Sequence, residues 1–77
     1  MITVFESAND RPSLRTMKAL VGGWFRLVGC SNHPDWQVFV NDEGQLFGLP
    51  FNEAASNICG SEVLGHAVLL KGAARWH

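Results

Sequence analysis

The chain has little cysteine, no surplus of basic residues and no long apolar stretch. Residues 1–6 carry no basic region and only a short apolar run, so we expect no secretory signal before the two cysteines. We therefore expect a cytoplasmic protein in which Cys30 and Cys59 are reduced and behave as small buried apolar residues. No stretch approaches the ~20 apolar residues that cross a bilayer, so no membrane association is expected.

Charge is also scarce, with six basic and seven acidic residues and a net charge of −1. Nucleic-acid binders usually carry a basic surplus, because phosphate neutralisation supplies most of their affinity, so we expect no nucleic-acid polymer as partner. The histidines, His33, His66 and His77, show no ligand spacing with one another or with the cysteines. The sequence therefore predicts no metal and no cofactor.

The length of 77 residues allows one domain. We expect a core over about residues 1–71 and a loose tail over 72–77. A domain of this size buries only roughly 60% of its unfolded surface, and small chains usually add disulfides, metals or oligomerisation to compensate. Because neither a disulfide nor a metal is expected here, oligomerisation is the remaining way to stabilise the domain.

Local patterns predict the elements. Residues 2–5 are apolar and β-branched, which favours a strand. Ser13 can cap a helix with apolar residues at helical spacing that ends at Gly22, and Asn52 can cap a second helix that ends at Gly60. Residues 24–29, 36–40 and 66–70 also read as strands. A turn over 41–44, with Gly44 at positive φ, and a returning strand over 45–49 predict a hairpin.

The expected fold is therefore α+β, a short antiparallel sheet of four to five strands with two short helices in the order β-α-β-β-β-α-β. The strands are apolar on both faces. One face would hold Trp24, Val28, Trp36, Val38 and Val40, and the other Phe25, Leu27 and Phe39. Two short helices can cover one such face, and an uncovered apolar face marks an interface. We therefore expect a homo-oligomer.

No catalytic constellation is visible. Cys30 and His33 lie three residues apart in a loop, which is weak evidence for a nucleophile–base pair. Asp42 and Glu43 fit a solvated turn, and Gly22 and the glycine after it follow a helix instead of opening one, unlike a phosphate-binding loop. We expect His66 to be a hydrogen-bonded core histidine, and we expect no enzyme.

Tryptophan and arginine supply the candidate ligand-binding residues. A tryptophan ring can stack on a base while an arginine grips a phosphate. Trp24 and Arg26, two residues apart, would share a strand face; Trp36 and Arg15 are further candidates. The alternative is that both tryptophans pack in the core or in an oligomer interface. Asn52 is either a simple helix cap or part of an anion site at the helix start.

Three blocks of the sequence resemble a family of small phage, plasmid and bacterial domains of unknown function. They are Leu-Val-Gly-Gly-Trp at 20–24, residues 40–46 followed by Gly-Leu-Pro-Phe-Asn at 48–52, and the glycine-containing apolar segment 63–70. The resemblance spans residues 13–70, while the loop 30–36 departs from it. It implies a phage-like or mobile-element origin and supplies no catalytic residues.

This origin favours a binding function, since small viral proteins without an active site often act on the host by binding. By analogy of size and context, we expect a phage-encoded homo-oligomer in the host cytoplasm that sequesters a small anionic ligand of nucleotide type, such as an immune signal. The alternative is a protein–protein interaction module or inhibitor of a host protein that takes no small ligand.

Overall fold

The computed structural model describes residues 1–76. It contains four strands and two α-helices, with short 3-10 turns at Ala8–Asp10 and Gly72–Ala74. The elements are β1 (Ile2–Phe5), α1 (Leu14–Val21), β2 (Phe25–Val28), β3 (Gln37–Asn41), α2 (Glu53–Cys59) and β4 (Ala67–Leu70). The predicted α+β class is confirmed.

The four strands form one sheet in the order β1-β4-β3-β2. The neighbours β2 and β3 are antiparallel, as are β3 and β4, whereas β1 and β4 are parallel. The expectation of a purely antiparallel sheet is therefore wrong. The sheet is mixed because β4 lies between β3 and β1 and runs in the same direction as β1.

The predicted strand over 45–49 and its hairpin are absent, because the chain after β3 forms consecutive turns. The Phe47 amide donates to the Glu43 carbonyl at 3.1 Å, and the Leu49 amide donates to the Gly44 carbonyl at 3.0 Å. The positive φ expected at Gly44 occurs at Gly48 instead, with a value of 63°. The order is thus β-α-β-β-α-β.

Each face of the sheet carries one helix. On one face α1 buries Met17 and Val21 against Phe39, Val68 and Leu70. On the opposite face α2 packs against a second cluster, which includes Val38, Val40, Ala55, Cys59 and Leu69. The predicted alternation of apolar residues along β3 is confirmed. The uncovered face is not found, so the argument for an oligomer that rested on it is wrong.

Both helices begin and end where the sequence predicts. The Ser13 hydroxyl accepts from the Thr16 amide, and the Asn52 side-chain oxygen accepts from the Ala55 amide, each at 3.1 Å. At the other ends, Gly22 and Gly60 adopt the left-handed conformation that glycine tolerates without a Cβ penalty.

Residues 72–76 pack against the sheet and are not the loose tail expected from the sequence. Ala74 is fully buried. The Trp76 ring lies 5.7 Å from that of Phe25 and 5.2 Å from that of Phe39, between centroids. The Gln37 side chain exchanges two hydrogen bonds with the Trp76 backbone, at 2.6 and 2.7 Å. His77 lies outside the described residues.

Candidate functional site

The basic residues are concentrated on one part of the chain. Residues 11–34 contain Arg11, Arg15, Lys18 and Arg26 and no acidic residue. α1 lies within this segment, whereas α2 carries an acidic residue in its first turn and no basic residue in its last. The surface of α1 itself is therefore positive, since the helix carries Arg15 and Lys18 and no acidic residue, although the net charge of the whole chain is −1.

Arg15 and Lys18 project from the same side of α1, since residues three apart are neighbours on a helix surface. Together with Ser13 and Leu14 they line an open groove of about 470 Å³, here called the α1 groove. Of these residues, Arg15 was predicted from the sequence and Lys18 was not. No carboxylate lines the groove, so its charge is positive.

Trp24 lies beside this groove because the chain reverses at the end of α1. The amides of Gly22 and Gly23 both donate to the Lys18 carbonyl at 2.9 Å, and both glycines have positive φ, at 85° and 146°. The reversal returns Trp24 to the helix, where Lys18 Nζ is 4.0 Å from the centroid of its ring. Trp24 nevertheless remains 60% exposed. Arg15, Lys18 and Trp24 thus form one basic and aromatic surface.

Arg26 does not join this surface. Its partner across the β2–β3 ladder is Val40, which packs on the α2 side of the sheet. Arg26 Nε lies 3.7 Å from an oxygen of Asp42, and both side chains are more than half exposed. The residue lines a pocket of about 220 Å³ that also contains Asp42 and Glu62. These carboxylates disfavour a phosphate there, and Arg26 lines a different pocket from Arg15 and Lys18.

Trp36 already has stacking partners within the chain. The His33 ring lies parallel to it with centroids 3.5 Å apart, and Lys71 Nζ is 4.7 Å from the Trp36 centroid. The ring is half-buried against the cluster beneath α2. The structure therefore gives Trp36 packing contacts typical of a structural residue.

Asn52 is a structural residue as well. It is 2% exposed, and its side-chain nitrogen donates to the carbonyls of Met1 and Gly65, both at 2.8 Å. Its oxygen caps α2, which has only seven residues. All its polar atoms are therefore occupied, which favours the simple cap over the anion site.

The cysteines show no nucleophile–base geometry. Cys30 is buried and its thiol donates to the Ile58 carbonyl at 3.1 Å, while the His33 ring stacks on Trp36. Burial raises the pKa of the Cys59 thiol, and the nearby Cys30 raises it further. Within residues 1–76, no group of three or more His, Cys, Asp or Glu side chains could hold a metal ion.

Residues 2–75 match the family described as a domain of unknown function, DUF3846. The chain belongs to this family. No curated protein and no solved structure shows a significant match to it. Over the described residues of this DUF3846 domain, neither helix has the length and apolarity to cross a membrane.

The DUF3846 domain also exposes an apolar surface that sequence reasoning missed. Leu46, Phe47 and Phe51 lie in and after the turns that follow β3, and we call them the loop patch. Leu46 is 75% exposed and Phe47 61%. The sequence pattern placed Leu46 and Phe47 in a strand, which hid their exposure. Three large apolar side chains so close in sequence are typical of a contact surface.

His66 should make the stability of the DUF3846 domain depend on pH. Its Nε2 lies 2.6 Å from the Thr3 hydroxyl, which links the residue before β4 to β1. Burial lowers the pKa of His66, and the N-terminal amine lowers it further. Because the unfolded chain then binds the proton better, the free energy of unfolding should fall as pH drops below about 6.5. Urea unfolding at neutral and mildly acidic pH measures this, and His66→Gln should lose less stability on acidification. Equal losses in both proteins would contradict the assignment.

Proposed function

We propose that this DUF3846 domain is a non-catalytic binding protein that captures a small anionic ligand with an aromatic ring, of nucleotide type, at the α1 groove. The observation that carries the proposal is the position of the Lys18 ammonium over the exposed Trp24 ring, with Arg15 on the same side of α1. Each part of this surface matches one part of such a ligand.

The basic side chains match the phosphates. Arg15 presents a planar guanidinium that can bind a phosphate through two parallel hydrogen bonds, and Lys18 adds a point charge. Neither forms a salt bridge within residues 1–76, so neither must release a carboxylate to bind an anion. The absence of acidic residues from 11–34 keeps the local potential positive.

The tryptophan matches the base. Lys18 covers part of one face of the Trp24 ring, and the exposure of the residue leaves aromatic surface free for stacking. Stacking of a base on an aromatic side chain contributes about 1–3 kcal/mol and tolerates any base, since every base has a π-face. The site therefore defines the chemical class of the ligand, but it does not define which base the ligand carries.

The biological role that we propose is sequestration. The family resemblance of the sequence to small phage and mobile-element domains suggests a phage-encoded protein that removes a nucleotide immune signal from the host cytoplasm. The absence of an evident nucleophile–base pair among the described cysteines and histidines supports binding over turnover.

Calorimetry with cyclic dinucleotides and ADP-ribose derivatives tests the proposal. Pyrophosphate and adenosine separate the contributions of charge and ring. Trp24→Ala, Arg15→Gln and Lys18→Gln should each weaken binding about tenfold or more, because each removes one contact of order 1–3 kcal/mol. Arg26→Gln is the matched control, an exposed arginine on the other side of the sheet, and should bind like the original protein. Absence of heat with every nucleotide would count heavily against the proposal.

A second candidate function is binding of a host protein without any small ligand, and the exposed loop patch favours it. Affinity capture from host lysate distinguishes it. A stoichiometric protein partner that is lost with Phe47→Ser and retained with Trp24→Ala would replace ligand capture as the function.

A further inference from the structure

We propose that two copies of the chain form a two-fold dimer in which the loop patch of each copy packs against exposed apolar residues beside α1 of the other. The receiving residues are Leu14, Trp24 and Leu27, each more than half exposed. Leu27 faces the α1 side because its partner across the ladder is Phe39, which packs beneath that helix. We call these three residues the α1 patch.

The two patches carry opposite charge at their margins. Asp42 and Glu43 precede the loop patch and both are exposed; Asp42 lies 3.7 Å from Arg26, whereas Glu43 forms no salt bridge within residues 1–76. Arg15 and Lys18 border the α1 patch through the α1 groove. Contact between two loop patches would bring carboxylates together, whereas contact between a loop patch and an α1 patch pairs opposite charges. Like charges across an interface disfavour binding, so the charges select the second arrangement.

The segment that leads to the loop patch begins beside the α1 patch of the same subunit. The Asp42 amide donates to the Trp24 carbonyl at 2.9 Å, so this segment leaves the sheet next to Trp24. In a two-fold interface both subunits use the same surface, so every contact occurs twice. Each loop patch here would contact the α1 patch of the other subunit. Two complementary patches satisfy both contacts at once and leave neither uncovered.

The exposed surface is large enough for such a contact. A standard interface buries about 800 Å² on each partner, which is about a sixth of the 4585 Å² that the chain exposes. Six large apolar side chains supply the apolar centre, and the carboxylates and cations supply a polar margin, which is the usual anatomy of an interface. A second copy therefore matches the surface in polarity and charge.

Charge reversal tests the pairing directly. Sedimentation of the original protein at micromolar concentration should give a dimer, weakened at high salt because exposed charges are screened. The double variants Arg15→Glu/Lys18→Glu and Asp42→Lys/Glu43→Lys should each dissociate at that concentration. Their equimolar mixture should restore a dimer with one copy of each, identified by its mass in native mass spectrometry, because both contacts again pair opposite charges.

The uncharged variant Phe47→Ser controls for misfolding, since an exposed turn residue can be replaced without loss of a core contact. It should weaken the dimer about tenfold or more, corresponding to 1.4 kcal/mol or above, with unchanged circular dichroism. A monomeric original protein, a dimer insensitive to both charge reversals, or a mixture that stays monomeric would each overturn the proposal. If a host protein and not a second copy covers these patches, the original protein should sediment as a monomer.

The dimer does not depend on the proposed ligand capture, although Arg15, Lys18 and Trp24 take part in both. An anionic ligand in the α1 groove should therefore shift the dimer towards monomer. Asp42→Lys/Glu43→Lys leaves that groove intact, so this variant should bind ligand at least as tightly as the original protein. The two proposals thus fail separately: a protein that stays monomeric can still bind nucleotides in calorimetry, and a protein that binds no nucleotide can still form the charge-dependent dimer.

Discussion

Replacing Asn52 by alanine should lower the free energy of unfolding by about 3 kcal/mol. The substitution removes the cap of α2, which contributes about 1 kcal/mol. It also leaves the carbonyls of Met1 and Gly65 without their donor, and each buried unsatisfied group costs about 1–3 kcal/mol. A domain of this length is stable by about 4–12 kcal/mol in total, so the loss is severe.

Ser13→Ala is the matched control, since Ser13 caps α1 in the same way but is exposed and makes no bond to another element. It should cost about 1 kcal/mol or less. Asn52→Asp keeps the acceptor but replaces the donor by a buried charge facing two carbonyl oxygens, so it should be at least as damaging as alanine at neutral pH. Urea unfolding of the three variants provides the comparison, and equal losses for Asn52→Ala and Ser13→Ala would refute the structural role of Asn52.

Met17→Ala should lower the free energy of unfolding by about 3 kcal/mol as well, within the range of 2–5 kcal/mol for large-to-small changes in a core. Met17 has no exposed surface and packs between α1 and the strand residues Phe39, Val68 and Leu70. Leu14→Ala, on the exposed side of the same helix, should change the stability by less than about 0.5 kcal/mol. Comparable losses for the two variants would show that α1 does not dock on the sheet through Met17.

The strand predicted over residues 45–49 is absent because a local sequence pattern does not determine which strands pair in the sheet. Leu46, Phe47 and Leu49 have the composition of a strand, and a turn precedes them. A hairpin would place this strand beside β3, but both sides of β3 are already taken by β2 and β4. β4 is distant in sequence, so the competition cannot be seen in the segment itself. Tertiary pairing overrides local preference here, and the segment forms turns.

The helix positions could be predicted because their signals are local. Ser13, Gly22, Asn52 and Gly60 each act within a few residues, through a cap or a left-handed glycine. The placement of the two helices on opposite faces could not be predicted in the same way, since it depends on the parallel pairing of β1 with the last strand. The inference of an uncovered face failed for that reason.

The candidate site was predicted in part. Lys18 lies over the Trp24 ring and lines the α1 groove together with Arg15. Lys18 was not predicted because it belongs to no motif, and its only sequence signal is the lack of acidic residues over 11–34. Arg26 was grouped with Trp24 by alternation along the strand, but its side chain lies beside Asp42 and lines a different pocket from Arg15 and Lys18.

The central position of β4 has a consequence for synthesis of the chain. Until residue 70 has left the ribosome, β1 has no neighbour and β3 has only one. The early part can form α1 and the local β2–β3 pair, but its apolar surfaces stay open to solvent. Closure then joins ends of the chain that are more than sixty residues apart, which is a slow kind of contact to form. The nascent protein is therefore most vulnerable to aggregation just before its last strand emerges.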